Sequence, residues 1–269
     1  MNHDANDSPR FAGAFADPGA QGAQEGRNPD RPIWELENNG DVRKVSHCKL
    51  PTRWGEFELN CYVNACGKEH LAIFLGDLRA SAAPVLCRVH SECLTGDAFG
   101  SLRCDCGPQL RAAMRRIQEE GRGVIVYLRQ EGRGIGLIDK MRAYELQDGG
   151  MDTVEANLAL GLPADARNFA PAAAILKDLG CGPVRLMTNN PAKINALEKA
   201  GVMVAGRVPL QVGLSEQNRR YLETKIDRMG HLIDEGYLSG QAPADSAARR
   251  GGECRCAGPH GVEPGQDGR

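Results

Sequence analysis

The chain has 269 residues, with Lys+Arg 33 against Asp+Glu 35 and a formal net charge of −2 at pH 7. Nucleic-acid binders carry a basic excess and stack bases on aromatic side chains, which make up only 5% here, so we expect no nucleic-acid partner. No stretch suits a bilayer span or a signal peptide, which predicts a cytoplasmic protein without a membrane partner.

Both ends of the chain are predicted to be disordered. Residues 1–44 and 239–269 are rich in small and polar residues and show no apolar periodicity. Such segments cannot bury enough apolar surface to offset the entropy lost on ordering. Residues 45–238 are therefore predicted to form one domain.

Apolar runs in this central part predict a sheet. Those in 45–59 and 71–89 are broken by Pro, Gly and Asp, as strands and turns are, and a buried strand is predicted from Gly123 to Leu128. Further strands are predicted at Pro183–Met187 and Val202–Leu210.

Helices are predicted between these strands. The first follows Cys106 for about fourteen residues, up to Gly121, which suits a helix C-terminus. Others are predicted from the Gly136 turn to Asp148, from a capping box at Asp152, over Pro171–Leu179, from Pro191 to Gly201, and from near Ser215 with Tyr221, Leu222, Ile226 and Met229 inward. The alternation predicts an α/β fold: a mixed sheet with flanking helices in a single domain.

Cysteine spacing is the most informative feature. Cys93, Cys104 and Cys106 lie within fourteen positions. Three thiolates can bind one zinc and leave its fourth position to water, as in catalytic zinc sites. A closed structural site with a fourth ligand, for which His90 is the candidate, and ordinary buried thiols are the alternatives.

Polar groups collect where predicted strands end, in three places. The first is the segment 88–92, beside the cysteines. The second is 130–136, where glycines admit a ligand close to the backbone and Arg133 offers a fork for phosphate. The third is 188–193, a helix N-terminus that favours an anion. Either of the last two could alone be a plain turn; beside a zinc motif, they predict a nucleoside triphosphate hydrolysed with the help of zinc.

Five motifs resemble bacterial GTP cyclohydrolase II, in the same order: Arg88-Val-His-Ser-Glu-Cys-Leu-Thr-Gly-Asp, Ser101-Leu-Arg-Cys-Asp-Cys-Gly, Arg129-Gln-Glu-Gly-Arg-Gly-Ile-Gly-Leu, Asp152-Thr-Val-Glu-Ala-Asn and Leu186-Met-Thr-Asn-Asn-Pro. The resemblance covers about 45–233. It implies hydrolysis of GTP at guanine C8, which releases formate and pyrophosphate and gives 2,5-diamino-6-ribosylamino-4(3H)-pyrimidinone 5′-phosphate, in the first step of riboflavin biosynthesis. It also implies one Zn²⁺ per subunit and a homodimer, and we expect Mg²⁺ with the triphosphate.

The resemblance also implies roles for individual residues. It assigns zinc to Cys93, Cys104 and Cys106, and catalysis to Asp165, Arg167 and Tyr144. It assigns GTP binding to Arg88, Val89, His90, Ser91, Glu92, Gln109, Glu131, Gly132, Arg133, Thr153, Thr188 and Lys193. Two positions depart from the family pattern: Asn168 replaces a common acidic residue and Ala192 a frequent lysine. Neither departure removes a named role, and weaker phosphate binding stays open.

Several roles stay open at this stage. Asp165, the family's proposed proton acceptor, and Glu92 are both candidates for proton transfer. Arg167 is proposed in the family to attack or clamp the α-phosphate; we expect a clamp, because a guanidinium stays protonated. Without the resemblance, Tyr144 could be a core tyrosine. A non-catalytic nucleotide sensor would lack one of these residues, whereas an enzyme for another purine nucleotide, or one stopping at the formylated product, stays open. The short leading segment predicts a monofunctional enzyme.

Overall fold

The computed structural model of the chain describes residues 42–79 and 82–240. The two predicted tails lie outside these residues, apart from 42–44 and the last two described positions. The first strand begins at Val42, three residues before the expected start of the domain.

Three antiparallel strands begin the sheet: β1 (Val42–Thr52), β2 (Gly55–Asn64) and β3 (Glu69–Leu75). Phe57 and Tyr62 of β2 are fully buried, Phe57 in one core cluster and Tyr62 in the other. Because side chains alternate along a strand, these two positions, which are five apart, lie on opposite faces of the sheet, and β2 contributes to the core on both.

Four parallel strands complete the sheet: β4 (Val85–Ser91), β5 (Gly123–Leu128), β6 (Val184–Met187) and β7 (Val204–Val208). The strand order is β1-β2-β3-β5-β4-β6-β7, and β5 pairs antiparallel with β3 but parallel with β4. The predicted mixed sheet is confirmed, although β7 is shorter than Val202–Leu210. Because β4 to β7 run parallel, their carboxyl ends meet along one edge of the sheet.

Helices cover both faces of the sheet. Those in the described part of the chain are α1 (Leu94–Asp97), α2 (Cys106–Glu120), α3 (Leu137–Asp148), α4 (Thr153–Ala159), α5 (Ala170–Asp178), α6 (Pro191–Lys199), α7 (Arg219–Asp227) and α8 (Glu235–Leu238). On one face α2 packs Met114 and Ile117 into a cluster with Phe57. On the other, α5 and α6 bury Leu176 and Leu197. None of the helices that the structure describes has the length and apolarity needed to cross a bilayer.

Local sequence signals locate most helix ends. Gly121 ends α2 with a φ of 74°, and both hydrogen bonds of the capping box between Asp152 and Glu155 are present. The predicted start of the last helix near Ser215 is wrong, because α7 begins at Arg219. The side chain of Asn218 instead accepts a hydrogen bond from the Ser215 backbone at 2.9 Å, which holds this stretch in a turn.

We predict that Gly123→Ala destabilises the domain, because Gly123 of β5 lies close to both β4 and α2. A Cβ at Gly123 would lie 2.7 Å from the Leu86 carbonyl oxygen and 2.8 Å from Cγ1 of Ile117. Overpacking of this kind costs about 1–3 kcal/mol of unfolding free energy. Gly206→Ala in β7 is the matched control, since its Cβ would meet nothing within 4 Å. Urea unfolding measures both, and equal midpoints would contradict the prediction.

Candidate active site

A cavity of about 1130 Å³, open to solvent, lies at the carboxyl ends of the parallel strands. Glu92 follows β4, Glu131 follows β5 and Thr188 follows β6, and all three line it. The three strand ends singled out in the sequence therefore meet in one place, as ligand sites in open α/β sheets do.

Most of the predicted site residues line this cavity. They are Arg88, His90, Ser91, Glu92, Cys93, Cys104, Cys106, Gln109, Glu131, Gly132, Arg133, Tyr144, Thr153, Arg167, Thr188 and Lys193. Val89 and Asp165 do not line it. The Val89 carbonyl oxygen accepts a hydrogen bond from Nζ of Lys193 at 2.8 Å, and Asp165 contacts Arg167. These two residues act on the cavity through side chains that do line it.

The three cysteines form a compact thiol cluster. Their Sγ atoms all lie within 4.8 Å of one another, and those of Cys93 and Cys104 are 3.6 Å apart. Cys93 caps the N-terminus of α1 and Cys106 begins α2, where helix dipoles favour thiolates. His90 is outside the cluster, with Nε2 3.0 Å from Oδ2 of Asp97. Three soft donors without His90 suit a zinc site with an open position.

The thiols influence one another's ionisation. Hydrogen bonds to Cys104 and Cys106, aided by the charge of Lys140, hold the pKa of Cys93 below its ordinary value. Hydrogen bonds with the other two thiols and burial raise the pKa of Cys106. Cys93 is therefore the first thiol to ionise, and binding of a divalent cation to all three would release protons.

Lys140 and Glu131 brace this cluster. Nζ of Lys140 lies 3.2 Å from Sγ of Cys93 and 2.8 Å from Oε1 of Glu131, and the Leu94 backbone N–H donates to Oε2 of Glu131 at 2.6 Å. Burial lowers the pKa of Lys140, but Cys93 and Glu131 raise it above its ordinary value. The lysine therefore stays charged. Sequence reasoning missed it, because a lysine on a helix is usually exposed.

Asp97 organises the other side of the cluster. It accepts hydrogen bonds from the Cys93 backbone N–H at 3.0 Å and from the Tyr127 hydroxyl at 2.9 Å. The His90 ring stacks on Tyr127, with centroids 5.4 Å apart. Burial lowers the pKa of His90 despite its bond to Asp97, so the imidazole is neutral at physiological pH. These contacts hold the turn that carries Cys93.

Cations line the cavity near α6. The Arg88 guanidinium donates to the Met187 carbonyl oxygen at 2.7 Å and to Oε1 of Gln109 at 2.6 Å. Burial, with the charges of Arg88 and Arg167, lowers the pKa of Lys193 well below its ordinary value. Buried cations held only by neutral partners make a site that favours an anion.

Asp165 and Glu92 lie in different environments. Asp165 faces Arg167, which donates to both of its carboxylate oxygens. Burial raises the pKa of Asp165, but the bonds from Arg167 outweigh it and leave that pKa below its ordinary value. Glu92 lines the cavity, and burial raises its pKa. Of the two carboxylates proposed for proton transfer, Glu92 is the one whose side chain reaches the cavity.

Tyr144 of α3 faces the same space. Its hydroxyl lies 3.5 Å from Oγ1 of Thr95, and the Arg103 guanidinium carbon lies 4.7 Å from the centre of its ring. Burial raises the pKa of Tyr144, so the phenol keeps its proton at neutral pH. It is placed to donate a hydrogen bond beside the thiols.

The C-terminal part of the domain supplies cavity residues that sequence reasoning missed. Tyr221 and Lys225 of α7, followed by Met229, His231 and Ile233, line the cavity. Tyr221 and Met229 had been predicted to face a core, because apolar spacing alone does not separate a core from a cavity wall. Lys225 gave no signal, since its partner Asp105 is 120 positions away.

The fold and the site define an α/β enzyme that binds an anionic substrate beside a cluster of three thiols. The family model for GTP cyclohydrolase II matches residues 43–209. A GTP cyclohydrolase-2 of Neisseria meningitidis is 60% identical over 194 residues, covering 72% of this chain and 98% of the relative. One of Pseudomonas paraeruginosa is 60% identical over 190 residues, covering 70% and 92%. The chain belongs to the GTP cyclohydrolase II family, enzymes that hydrolyse GTP in riboflavin biosynthesis.

A solved structure gives a much weaker likeness. It is a two-domain 3,4-dihydroxy-2-butanone 4-phosphate synthase from A. baumannii, 20% identical, with a TM-score of 0.35, covering 65% of this chain and 42% of that one. The family assignment therefore depends on the sequence relatives.

We predict that Gly96→Ala weakens metal binding, because Gly96 lies against all three cysteines. A Cβ there would lie 3.0 Å from Sγ of Cys104 and 3.1 Å from Sγ of Cys93. The thiols would have to separate, at a cost of about 10–100-fold in zinc affinity. Competition with a chromophoric chelator measures this. Gly182→Ala, whose Cβ would meet nothing within 4 Å, is the control, and equal affinities would contradict the prediction.

Proposed function

We propose that the protein catalyses the zinc-dependent hydrolysis of GTP at guanine C8, releasing formate and pyrophosphate and leaving the diaminopyrimidinone ribosyl phosphate. One observation carries this proposal: the thiol cluster lines the same cavity as four cationic side chains, Arg88, Arg133, Arg167 and Lys193, which we call the cation cluster. A purine nucleotide can thus place its base at the thiols and its phosphates at the cations. The GTP-cyclohydrolase relatives support GTP as that nucleotide.

Cys93, Cys104 and Cys106 would bind the zinc, a donor set that fits this metal. Zinc so bound supplies a Lewis acid that activates water at neutral pH. Three thiolates leave the site with a net charge of about −1, which weakens that acidity. The Lys140 ammonium, 3.2 Å from Sγ of Cys93, offsets this charge.

The phosphates would bind to Arg88, Arg133, Arg167 and Lys193, and Mg²⁺ bound with the triphosphate would neutralise part of its charge. Burial lowers the pKa of Arg167, but its bonds to Asp165 raise it above its ordinary value. A guanidinium with no free lone pair is a poor nucleophile. Arg167 therefore serves as an electrostatic clamp during pyrophosphate release, aligned by Asp165.

Proton transfer falls to Glu92 in this proposal. A carboxylate in the cavity with a raised pKa is better suited than an ordinary one to accept and return a proton, and general acid–base catalysis contributes about 10²–10⁴-fold. Asp165 is occupied by Arg167. Tyr144 would donate a hydrogen bond that orients the ring-opened intermediate until the formyl group leaves.

The homodimer implied by the family resemblance stays a prediction, and so do the cytoplasmic location and the disordered tails predicted from composition. The tails lie outside the described residues apart from the few positions noted above.

We expect the purified protein with GTP and Mg²⁺ to release formate, pyrophosphate and the pyrimidine product in equal amounts. Cys104→Ser should lower kcat by more than about 100-fold, the upper end of what changes around a metal's ligands cost. Chelation of zinc should have the same effect. The control is Cys48→Ser, at an exposed thiol of β1. Full turnover by zinc-free protein, or a formylated end product, would contradict the proposed reaction.

We expect binding of inorganic triphosphate to take up protons at mildly alkaline pH. Burial lowers the pKa of Lys193 in the free protein, so its ammonium loses its proton more readily than that of an exposed lysine, and a bound anion raises that pKa again. Calorimetry in Hepes and in Tris should give heats that differ with the ionisation enthalpy of the buffer. The difference should shrink in Lys193→Met, while identical heats for the unaltered protein in both buffers would refute this role.

A further inference from the structure

The C-terminal segment, residues 210–240, forms one side of the cavity although it lies beyond the part matched by the family model, which ends at 209. It contacts three separate parts of the domain. Arg220 donates to the Gly150 carbonyl oxygen before α4 at 2.7 Å, and the Leu232 backbone N–H donates to the Asn189 carbonyl oxygen after β6 at 2.7 Å. Gly213 packs on Pro108, which would lie 2.5 Å from a Cβ at that glycine. The segment is thus held across the cavity by several elements.

Lys225 makes the contact nearest the chemistry. Its side chain is buried, lines the cavity, and its Nζ donates to Oδ1 of Asp105 at 2.5 Å. Asp105 lies between two of the cysteines and caps α2. The C-terminal helix therefore contacts the short link between Cys104 and Cys106 directly.

Asp105 is in turn connected to Arg88 of β4 through hydrogen bonds of Gln109. Nε2 of Gln109 donates to Oδ2 of Asp105 at 2.5 Å, and Oε1 of Gln109 accepts from the Arg88 guanidinium at 2.6 Å. A continuous series of hydrogen bonds thus joins Lys225 to Arg88. The series thereby connects Asp105, which lies between two of the cysteines, to Arg88 of the cation cluster.

The charge of the Asp105 carboxylate explains why position 225 needs a cation. Asp105 is only 3% exposed and lies beside the thiols. Without the ammonium, a buried carboxylate would face thiolates with only the neutral Gln109 amide as its other side-chain donor. Breaking a buried ion pair by removing one partner leaves an uncompensated charge, which is strongly unfavourable. The link would have to move to bring Asp105 to water.

We propose that Lys225 is a positioning residue of the GTP site: through Asp105 it fixes the link between Cys104 and Cys106, and through Gln109 it aligns Arg88. This inference rests on the proposed function for its substrate and metal. It assigns a part in the active site to the C-terminal segment, which lies beyond the residues matched by the family model.

The test compares Lys225→Met, Lys225→Arg, Asp105→Asn and the double variant Lys225→Met/Asp105→Asn. We expect Lys225→Met to lower kcat on the order of 10²-fold, as misplaced reacting groups do, and to release zinc to a chelator faster than the unaltered protein. Lys225→Arg should restore part of both properties. Lys199→Met, at an exposed lysine of α6, is the matched control and should behave like the unaltered protein.

The double variant distinguishes a positioning role of Lys225 from a general loss of structure. If Lys225 acts through Asp105, the double variant is no worse than the more impaired single variant, because neither charge remains buried alone. Should Lys225→Met fail to fold, the double variant is expected to fold. Additive losses in kcat and in zinc retention, or a Lys225→Met protein equal to Lys199→Met, would overturn the proposal.

The zinc-release measurement needs no GTP turnover. An unaltered protein that gives no formate from GTP would therefore refute the proposed function alone. The chelator comparison would still decide whether Lys225 holds the cysteine link in place.

Discussion

A buried ion is tolerated only beside an opposite charge or several hydrogen bonds, and this constraint organises the cavity at the strand ends. Among the cations that line it, three whose side chains are little exposed have carboxylate partners: Lys140 with Glu131, Arg167 with Asp165, and Lys225 with Asp105. Arg88 and Lys193 are instead held by carbonyl and amide oxygens in the described contacts. Lys140 and Lys225 thus stabilise the wall beside the thiols, whereas Arg88 and Lys193 stay available to an anion. Arg167 faces the same cavity, aligned by Asp165.

The sheet brings these groups together without a long loop. Because β4, β5 and β6 run parallel, three short segments after them converge on one edge. The antiparallel strands β1 to β3 lie on the other side of β5 and extend the core beneath α2 and α5. The site thus occupies the parallel half of the sheet, while the antiparallel half contributes buried side chains to the core.

Local patterns in the sequence predicted the fold and the reacting groups. They did not predict contacts between residues that lie far apart in the sequence. Cysteine spacing located the thiol cluster, and strand ends located the side of the cavity that carries Arg88 and Lys193. Lys140 and Lys225 were missed because their burial depends on partners 47 and 120 positions away, which no local pattern encodes. Asp165 was predicted from the family resemblance, which carries a residue's identity but not the direction of its side chain.

The backbones of α1 and α2 touch where the cysteines lie. A Cβ at Gly107 would fall 2.0 Å from the Gly96 carbonyl oxygen, so the two helix starts are separated by backbone alone. The residues joining them include Phe99 and Leu102, which are 75% and 57% exposed. The sulfurs of Cys93 and Cys106 are thus placed by the docking of two helices, whereas Cys104 belongs to the connection between them. Only the exposed stretch around Phe99 is free to diverge in composition, or to accept an inserted label, while the sulfur triangle keeps its shape.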